Sequence, residues 1–220
     1  MVNINDFKLY TEYLSNKVQV GNTLTIPQFN QLCFQSVMQV FEKDYQTFLM
    51  TEELSEFLRI YLNNQVSSVP PTGILPYPAD YQHIISIRKY YVNAKGVGKM
   101  LQVEEIKNVE WGFIQMSSLR EPTLRFPKYN EFDGVIRFLP MNLGIIEIDY
   151  IKTPDQPVWG YTIVSGRPVY DPLTSTNFEF QAYSTNIVAG VFLSLIGVNL
   201  KDSELERFAQ QYKKETNSAL

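Results

Sequence analysis

Residues 144–151 read Gly-Ile-Ile-Glu-Ile-Asp-Tyr-Ile, and the fold turns on how this stretch is read. Ile146, Ile148 and Tyr150 alternate with Glu147, Asp149 and Ile151, mostly the period of two expected of a strand with one face in a core. Similar runs lie upstream. Ile84 to Val92 is rich in β-branched and aromatic residues and predicts a strand. Asn93-Ala94-Lys95-Gly96 follows as a turn signal, so a return strand through Leu101 and Val103 completes a hairpin. Thr123 to Tyr129 and Gly134 to Leu139 predict two more strands. Glu104 to Met116 fits either state: Ile106, Val109 and Phe113 have helical spacing, but Gly112 weakens a helix.

Two proline-rich stretches flank this β-rich middle. Val69-Pro70-Pro71-Thr72-Gly73-Ile74-Leu75-Pro76-Tyr77-Pro78 holds four of the 12 prolines. It predicts neither helix nor central strand, because proline lacks the amide donor and fixes φ. An extended, stiff connector of polyproline character is expected. Thr153 to Thr176 carries Pro154, Pro157, Pro168 and Pro172 with Trp159, Tyr161 and Tyr170, and predicts a second irregular arm.

Outside the arms the spacing becomes helical. Asn5 is a candidate cap for a helix carrying Leu9, Tyr10, Tyr13 and Leu14 on one face. Thr25-Ile26-Pro27-Gln28 has the form of a capping box with proline in the first turn. Behind it Phe29, Leu32, Cys33, Val37, Val40 and Phe41 recur at three and four residues. Thr51 to Leu62 fits another helix, with Leu54, Phe57, Leu58, Tyr61 and Leu62 on one side. Near the other end, Phe178 to Ile196 is apolar on most of its circumference and predicts a buried helix, with Gly197 as its C-terminal cap. A last helix is expected from Asp202 or Ser203, with Leu205, Phe208, Ala209 and Tyr212 on one face. Helices, then strands, then helices argue an α+β fold with an antiparallel sheet. The expected parts are an N-terminal helical part (1–64), a proline-rich connector (65–82), a β-rich middle (83–152), an irregular arm (153–176) and a C-terminal helix pair (177–215). The two helical parts are expected to pack together as one composite domain.

Composition narrows the function classes. The 220 residues carry a net charge of −4, so no general electrostatic footprint for nucleic acid is present. The N-terminus shows no basic region before an apolar core, so no signal peptide is expected. The longest apolar run, Ile187 to Val198, is broken by Ser194 and two glycines, and its twelve residues are too few for a membrane span, which takes about 20. One cysteine (Cys33) and one histidine (His83) exclude an internal disulfide and a Cys/His zinc site. Charged residues are only 19 % and aromatics reach 14 %, a pairing found at protein–protein interfaces.

No motif carries a chemistry. Lys95-Gly96-Val97-Gly98-Lys99 lacks a third glycine and a clear following helix, and a hairpin turn explains it better than a phosphate loop. His83 has no nucleophile motif beside it, and Cys33 sits on an apolar helical stripe where thiols are inert. The acidic pairs Glu104/Glu105, Glu131/Asp133 and Glu147/Asp149 are candidates for a divalent ion or for glycoside hydrolysis, but strand alternation accounts for Glu147 and Asp149 as a solvated face. Arg88, Lys89, Lys95 and Lys99 form a basic cluster better explained as hairpin surface. No catalytic residue, metal or cofactor is assigned. The aromatic connectors weigh differently, because Tyr and Trp are frequent interface anchors. Val69, Ile74, Leu75, Tyr77, Tyr81, Trp159, Tyr161 and Tyr170 are the candidate interface residues.

An ordered set of segments resembles a known group. Leu58-Arg59-Ile60-Tyr61-Leu62 precedes Pro76-Tyr77-Pro78-Ala79-Asp80-Tyr81; Leu119-Arg120-Glu121-Pro122-Thr123 and Tyr150-Ile151-Lys152-Thr153-Pro154 follow; Phe178-Glu179-Phe180 and Ile196-Gly197-Val198-Asn199-Leu200 complete the set. The set, from about Leu54 to Leu200, resembles small virion structural proteins of crAss-like tailed bacteriophages, most closely the ring proteins of the head-to-tail connector. The resemblance implies a dodecameric ring of this chain, stacked beneath the portal protein, contacting other tail components and enclosing a channel with transient, non-specific contact to genomic DNA. It implies a virion location after assembly in the bacterial cytoplasm, no enzymatic activity and no membrane partner. A heterologous ring needs two different contact surfaces per subunit, which the arms are expected to supply. An acidic wall suits a conduit that must not hold DNA. The competing expectations are a tail or adhesin-type module binding glycans through Trp111 or Trp159, and a virion-associated hydrolase using the acidic pairs.

Overall fold

The computed structural model describes residues 1–15, 24–92, 96, 98–116, 120–199, 207, 210 and 211. In chain order, α1 (Ile4–Ser15), α2 (Ile26–Thr51) and the single-turn α3 (Glu56–Arg59) come first. Then follow β1 (Leu62–Ser68), β2 (Ile74–Pro76), β3 (Tyr81–Val92), β4 (Gly98–Gln102), β5 (Glu104–Glu105) and α4 (Asn108–Met116). After these come β6 (Lys128–Phe132), β7 (Val135–Leu139), β8 (Ile145–Lys152), β9 (Tyr161–Val164), β10 (Arg167–Tyr170) and α5 (Thr185–Asn199). The fold is α+β. The chain divides into two compact units, one joining residues 1–60 to 154–220 and one formed by Tyr61–Thr153.

The first unit has an aromatic core. Phe192 of α5 meets Phe7 of α1 and Phe29 of α2 edge-on, at ring separations of 5.5 and 5.4 Å. Phe7 also packs on Phe178 at 4.7 Å, and Phe178 on Phe180 at 4.8 Å. The stripe of α2 read from sequence is buried throughout: Phe29, Leu32, Cys33, Val37, Val40 and Phe41. Gln28 Oε1 accepts from the Thr25 amide at 3.0 Å, as the capping box requires. α5 buries Val188, Ala189, Phe192, Leu193 and Ile196, but it begins at Thr185 and not at Phe178; Phe178 and Phe180 enter the core from the non-helical segment before it.

Several boundaries differ from the sequence reading. α1 buries Ile4, Phe7 and Thr11 at i, i+3 and i+7, while Leu9 and Tyr13 point to solvent. Its cap is Asn3, whose Oδ1 accepts from the Asn5 amide at 2.8 Å. The helix expected over Thr51 to Leu62 is reduced to the single turn of α3, which buries Phe57 and Leu58. α2 runs to Thr51 and stops at Glu52 in the left-handed region (φ 59°). Ser55 then caps α3, accepting from the Leu58 amide at 3.2 Å and donating to Asp44 at 2.7 Å. α5 continues through Gly197 to Asn199 instead of ending there. The final helix expected from Asp202 lies almost wholly outside the described residues.

The second unit contains two four-stranded sheets where one was expected. One has the order β1-β8-β3-β4 and is antiparallel throughout; the other has the order β2-β7-β6-β5, with β5 parallel to β6. Both contribute to one core: Ile87, Ile146, Ile148 and Tyr150 from the first, Tyr129, Ile136 and Phe138 from the second. The pattern read at 144–151 holds, since Ile146, Ile148 and Tyr150 are buried and Glu147 and Asp149 are half-buried. The strand expected at 123–129 begins later, at Lys128. Phe132↔Val135 closes a two-residue turn with positive φ at Asp133 (51°) and Gly134 (76°), the backbone that Asp-Gly favours.

The proline-rich stretch 69–78 is not a free connector. Val69 is in the core of the second unit, 6 % exposed, so it offers no contact surface. Ile74–Pro76 is an edge strand on β7, the one place in a sheet where proline fits. The 153–176 stretch is likewise not wholly irregular: β9 and β10 form a hairpin with a two-residue turn at Ser165 (φ 52°) and Gly166 (φ 79°).

Candidate interaction surfaces

The eight residues singled out from sequence fall into two groups that belong to different units. In the second unit, Ile74 is exposed on β2, Leu75 is partly buried against the core, and Tyr77 and Tyr81 stack with ring centroids 4.1 Å apart. A tight turn places them there, since the Tyr81 amide donates to the Pro78 carbonyl at 3.1 Å. Both phenols donate to one carboxylate oxygen of Glu131 on β6, Tyr77 at 3.0 Å. The cluster therefore ties the turn between β2 and β3 to the neighbouring sheet. Nearby, Tyr150 donates to Asp80 at 2.8 Å and accepts from Asn63 at 3.0 Å.

The phenols of this cluster resist ionisation. Burial and the Glu131 charge push Tyr77 up to about 12 from 10, and the same causes push Tyr81 in the same direction. Burial and Asp80 raise Tyr150 to about 12. Folding thus favours the protonated phenols, so their contribution to stability is complete below pH 10 and is lost as pH rises towards 12. The urea midpoint of the second unit is expected to fall across that window, together with tyrosinate absorbance. Glu131→Gln, which removes the repelling charge, is expected to make the fall shallower. A midpoint independent of pH in the wild type would refute the linkage.

In the first unit, Trp159 is buried, 6 % exposed, and is no surface anchor. Its indole N–H donates to Asn5 Oδ1 at 3.0 Å, its amide donates to Asn30 Oδ1 at 2.8 Å, and Lys8 Nζ sits 5.2 Å from its ring centroid. The Asn5 side chain, read as a helix cap, serves this contact. On Trp159 rest Tyr161 and Tyr170, at ring separations of 6.1 and 5.8 Å. These two face each other across the first pair of the β9–β10 hairpin. Beyond them the hairpin carries exposed Ile163, Val164 and Val169. A two-stranded hairpin is marginal in water without packing, and among the described residues this one is packed through its base, by Tyr161 and Tyr170 on Trp159.

The residues weighed for catalysis are engaged elsewhere. Asp149 accepts from Asn64 (2.6 Å), Ser86 (2.7 Å) and Arg88 (2.9 Å), and Glu147 accepts from Asn64 (2.9 Å) and lies 3.5 Å from Arg88. These are cross-strand neighbours on one face of β1, β8 and β3, a hydrogen-bonded patch in which one arginine serves both carboxylates. The basic cluster is dispersed as well: Arg88 serves that patch, Lys89 is buried, and Lys95 lies outside the described residues. Burial lowers the Lys89 pKa and raises that of the Cys33 thiol. Glu104 pairs with Lys128. His83 is half-buried on β3. Among the described residues no group of three or more His, Cys, Asp or Glu side chains is placed to hold a metal ion. None of their helices is long and apolar enough to cross a membrane.

No protein-family model matches this chain, and no curated protein is similar to it. The β9–β10 hairpin was legible in part: Ser165-Gly166 between Tyr-Thr-Ile-Val and Arg-Pro-Val-Tyr is a hairpin signal. β1 gives no such signal, because every residue of Leu62–Ser68 except Ser67 is exposed and no alternation develops.

Proposed function

We propose that this chain is a non-enzymatic structural subunit of a ring in a bacteriophage head-to-tail connector, joining the portal protein to the tail around the DNA channel. The observation that carries the reading is the exposed hairpin β9–β10, whose apolar side chains have no cover while its base is pinned by Trp159. Such a projection serves contact with another chain, since exposed apolar groups mark interaction sites. The ordered sequence resemblance is what supports reading that other chain as part of a phage connector. The Asn64, Ser86 and Arg88 partners of Glu147 and Asp149 argue against the hydrolase alternative. The test is the mass of the purified chain alone and mixed with the portal protein of the same phage. A ring stacked on portal is the expected product. A chain that joins neither portal nor any tail component would sink the reading.

A further inference from the structure

We infer that copies of this chain join by strand addition, with the outer edge of β9 of one copy pairing with the outer edge of β1 of the next. The inference rests on the proposed ring and specifies its junction. It comes from comparing the strand edges within one chain.

In an antiparallel pair, residues alternate between exchanging hydrogen bonds with the partner and pointing N–H and C=O away. The phase is fixed for each edge by a bond next to it. At β1 the Val69 amide donates to Gly144 (2.9 Å) and the Lys152 amide to Tyr61 (2.8 Å). Hence Asn63, Gln65 and Ser67 bond β8, while Leu62, Asn64, Val66 and Ser68 turn outward. At the hairpin the Asp171 amide donates to Gly160 (3.0 Å), so Tyr161 and Ile163 turn outward from β9, and Pro168 and Tyr170 from β10. At β2 the Phe138 amide donates to Gly73 (2.8 Å), which turns Ile74 and Pro76 outward.

Natural sheets guard exposed edges with proline, with charge or by keeping them short. β10 has Pro168 on its outward row and β2 has Pro76 on its own. β4 carries Lys99, and β5 is two glutamates long. The two edges left are β1, Leu-Asn-Asn-Gln-Val-Ser-Ser, and β9, Tyr-Thr-Ile-Val, which hold no charge and no proline. Both are exposed. On β1 the Asn63 side chain satisfies the Asn64 amide at 2.9 Å; the amides of Leu62, Val66 and Ser68 have no partner among the described residues. Two different unguarded edges on one chain, both uncharged, fit each other across copies and give the heterologous contact that closes a ring.

The test uses the full chain as a multimer, alone or on portal. Val66→Pro and Ile163→Pro each remove one outward amide, leave the bonds to β8 and β10 in place, and are each expected to weaken assembly about 100-fold. Met100→Pro makes the same lesion on the outward row of β4 and is expected to change nothing. Mixed together, the Val66→Pro and Ile163→Pro chains retain one good edge each, so they are expected to form a dimer and nothing larger. Amide hydrogen exchange of the wild-type multimer reads the same point without a substitution, with Val66 and Ile163 expected to become slow on assembly. Fast exchange at both in the multimer, undiminished assembly of either proline variant, or a wild-type chain that never multimerises overturns the inference. Rings on portal that survive both substitutions overturn the junction and leave the connector standing; multimers joined through these edges that ignore portal and tail overturn the connector and leave the junction.

Discussion

Phe192→Ala is expected to remove about 3–5 kcal/mol from the helical unit, the usual cost of deleting a buried ring. Phe192 is 1 % exposed and touches a ring on each of α1 and α2, so its loss opens a void bounded by three helices. Against a total stability of about 5–15 kcal/mol this is a large fraction. Urea unfolding followed by far-ultraviolet circular dichroism measures it. Tyr13→Ala on α1 is the control, because Tyr13 is 80 % exposed and its removal is expected to be nearly neutral. Equal effects of the two variants would show that α5 does not organise this core.

Gly160→Ala is expected to have an effect of similar size at a point that carries little apolar burial. A Cβ at Gly160 would lie 2.3 Å from Thr174 Oγ1 and 2.5 Å from the Thr174 carbonyl carbon and oxygen. The hydroxyl can turn aside but the backbone cannot. The Gly160 amide also donates to Ser175 Oγ at 2.9 Å, and its carbonyl accepts from the Asp171 amide, so a shift here undoes the base of the hairpin. About 3 kcal/mol is expected, at the upper end of overpacking costs. Proteolysis within residues 161–170 should accelerate. Gly112→Ala is the contrast, since no atom lies within 4 Å of its Cβ position and it sits inside α4. That change is expected to be neutral or to stabilise by up to about 1 kcal/mol. If the two glycines respond alike, close approach at Thr174 is not what holds the hairpin.

What could be read from sequence was what burial writes into it. The α2 stripe from Phe29 to Phe41 and the Ile146-Ile148-Tyr150 alternation are core faces, and a core face imposes its period. α1 reads ambiguously because its short sequence offers two stripes: Leu9, Tyr10, Tyr13 and Leu14 form a longer amphipathic set than Ile4 and Phe7, but packing against Phe178 and Phe192 selects the second. β1 was missed because its order comes from pairing with β8, not from any burial of its own. The surface candidates suffered from the opposite problem. Apolar and aromatic residues beside prolines look like contact residues in the sequence, yet Val69 and Trp159 complete the cores of their own units, and Tyr77 and Tyr81 are bound to Glu131. Tyr161 and Ile74 stay exposed, but exposure depends on which neighbours the fold brings, and spacing does not carry that. Edge protection, by contrast, was written in plain residues; Pro76 and Pro168 acquire that meaning only once register is known.

The helical unit is interrupted between Ile60 and Pro154, and the interruption begins and ends side by side, with the Lys152 amide donating to the Tyr61 carbonyl. That arrangement sets a timetable for biosynthesis. Translation completes the whole inserted sheet unit before a single residue of α5 has been made. Phe7 and Phe29 must then wait for Phe192, and at ordinary elongation rates the wait is on the order of 10 s. During that interval the apolar stripe of α2 is uncovered while the inserted strands are already free to pair. The nascent chain is therefore most exposed to misassociation at its earliest-made helices, and α5 is the element that completes their core.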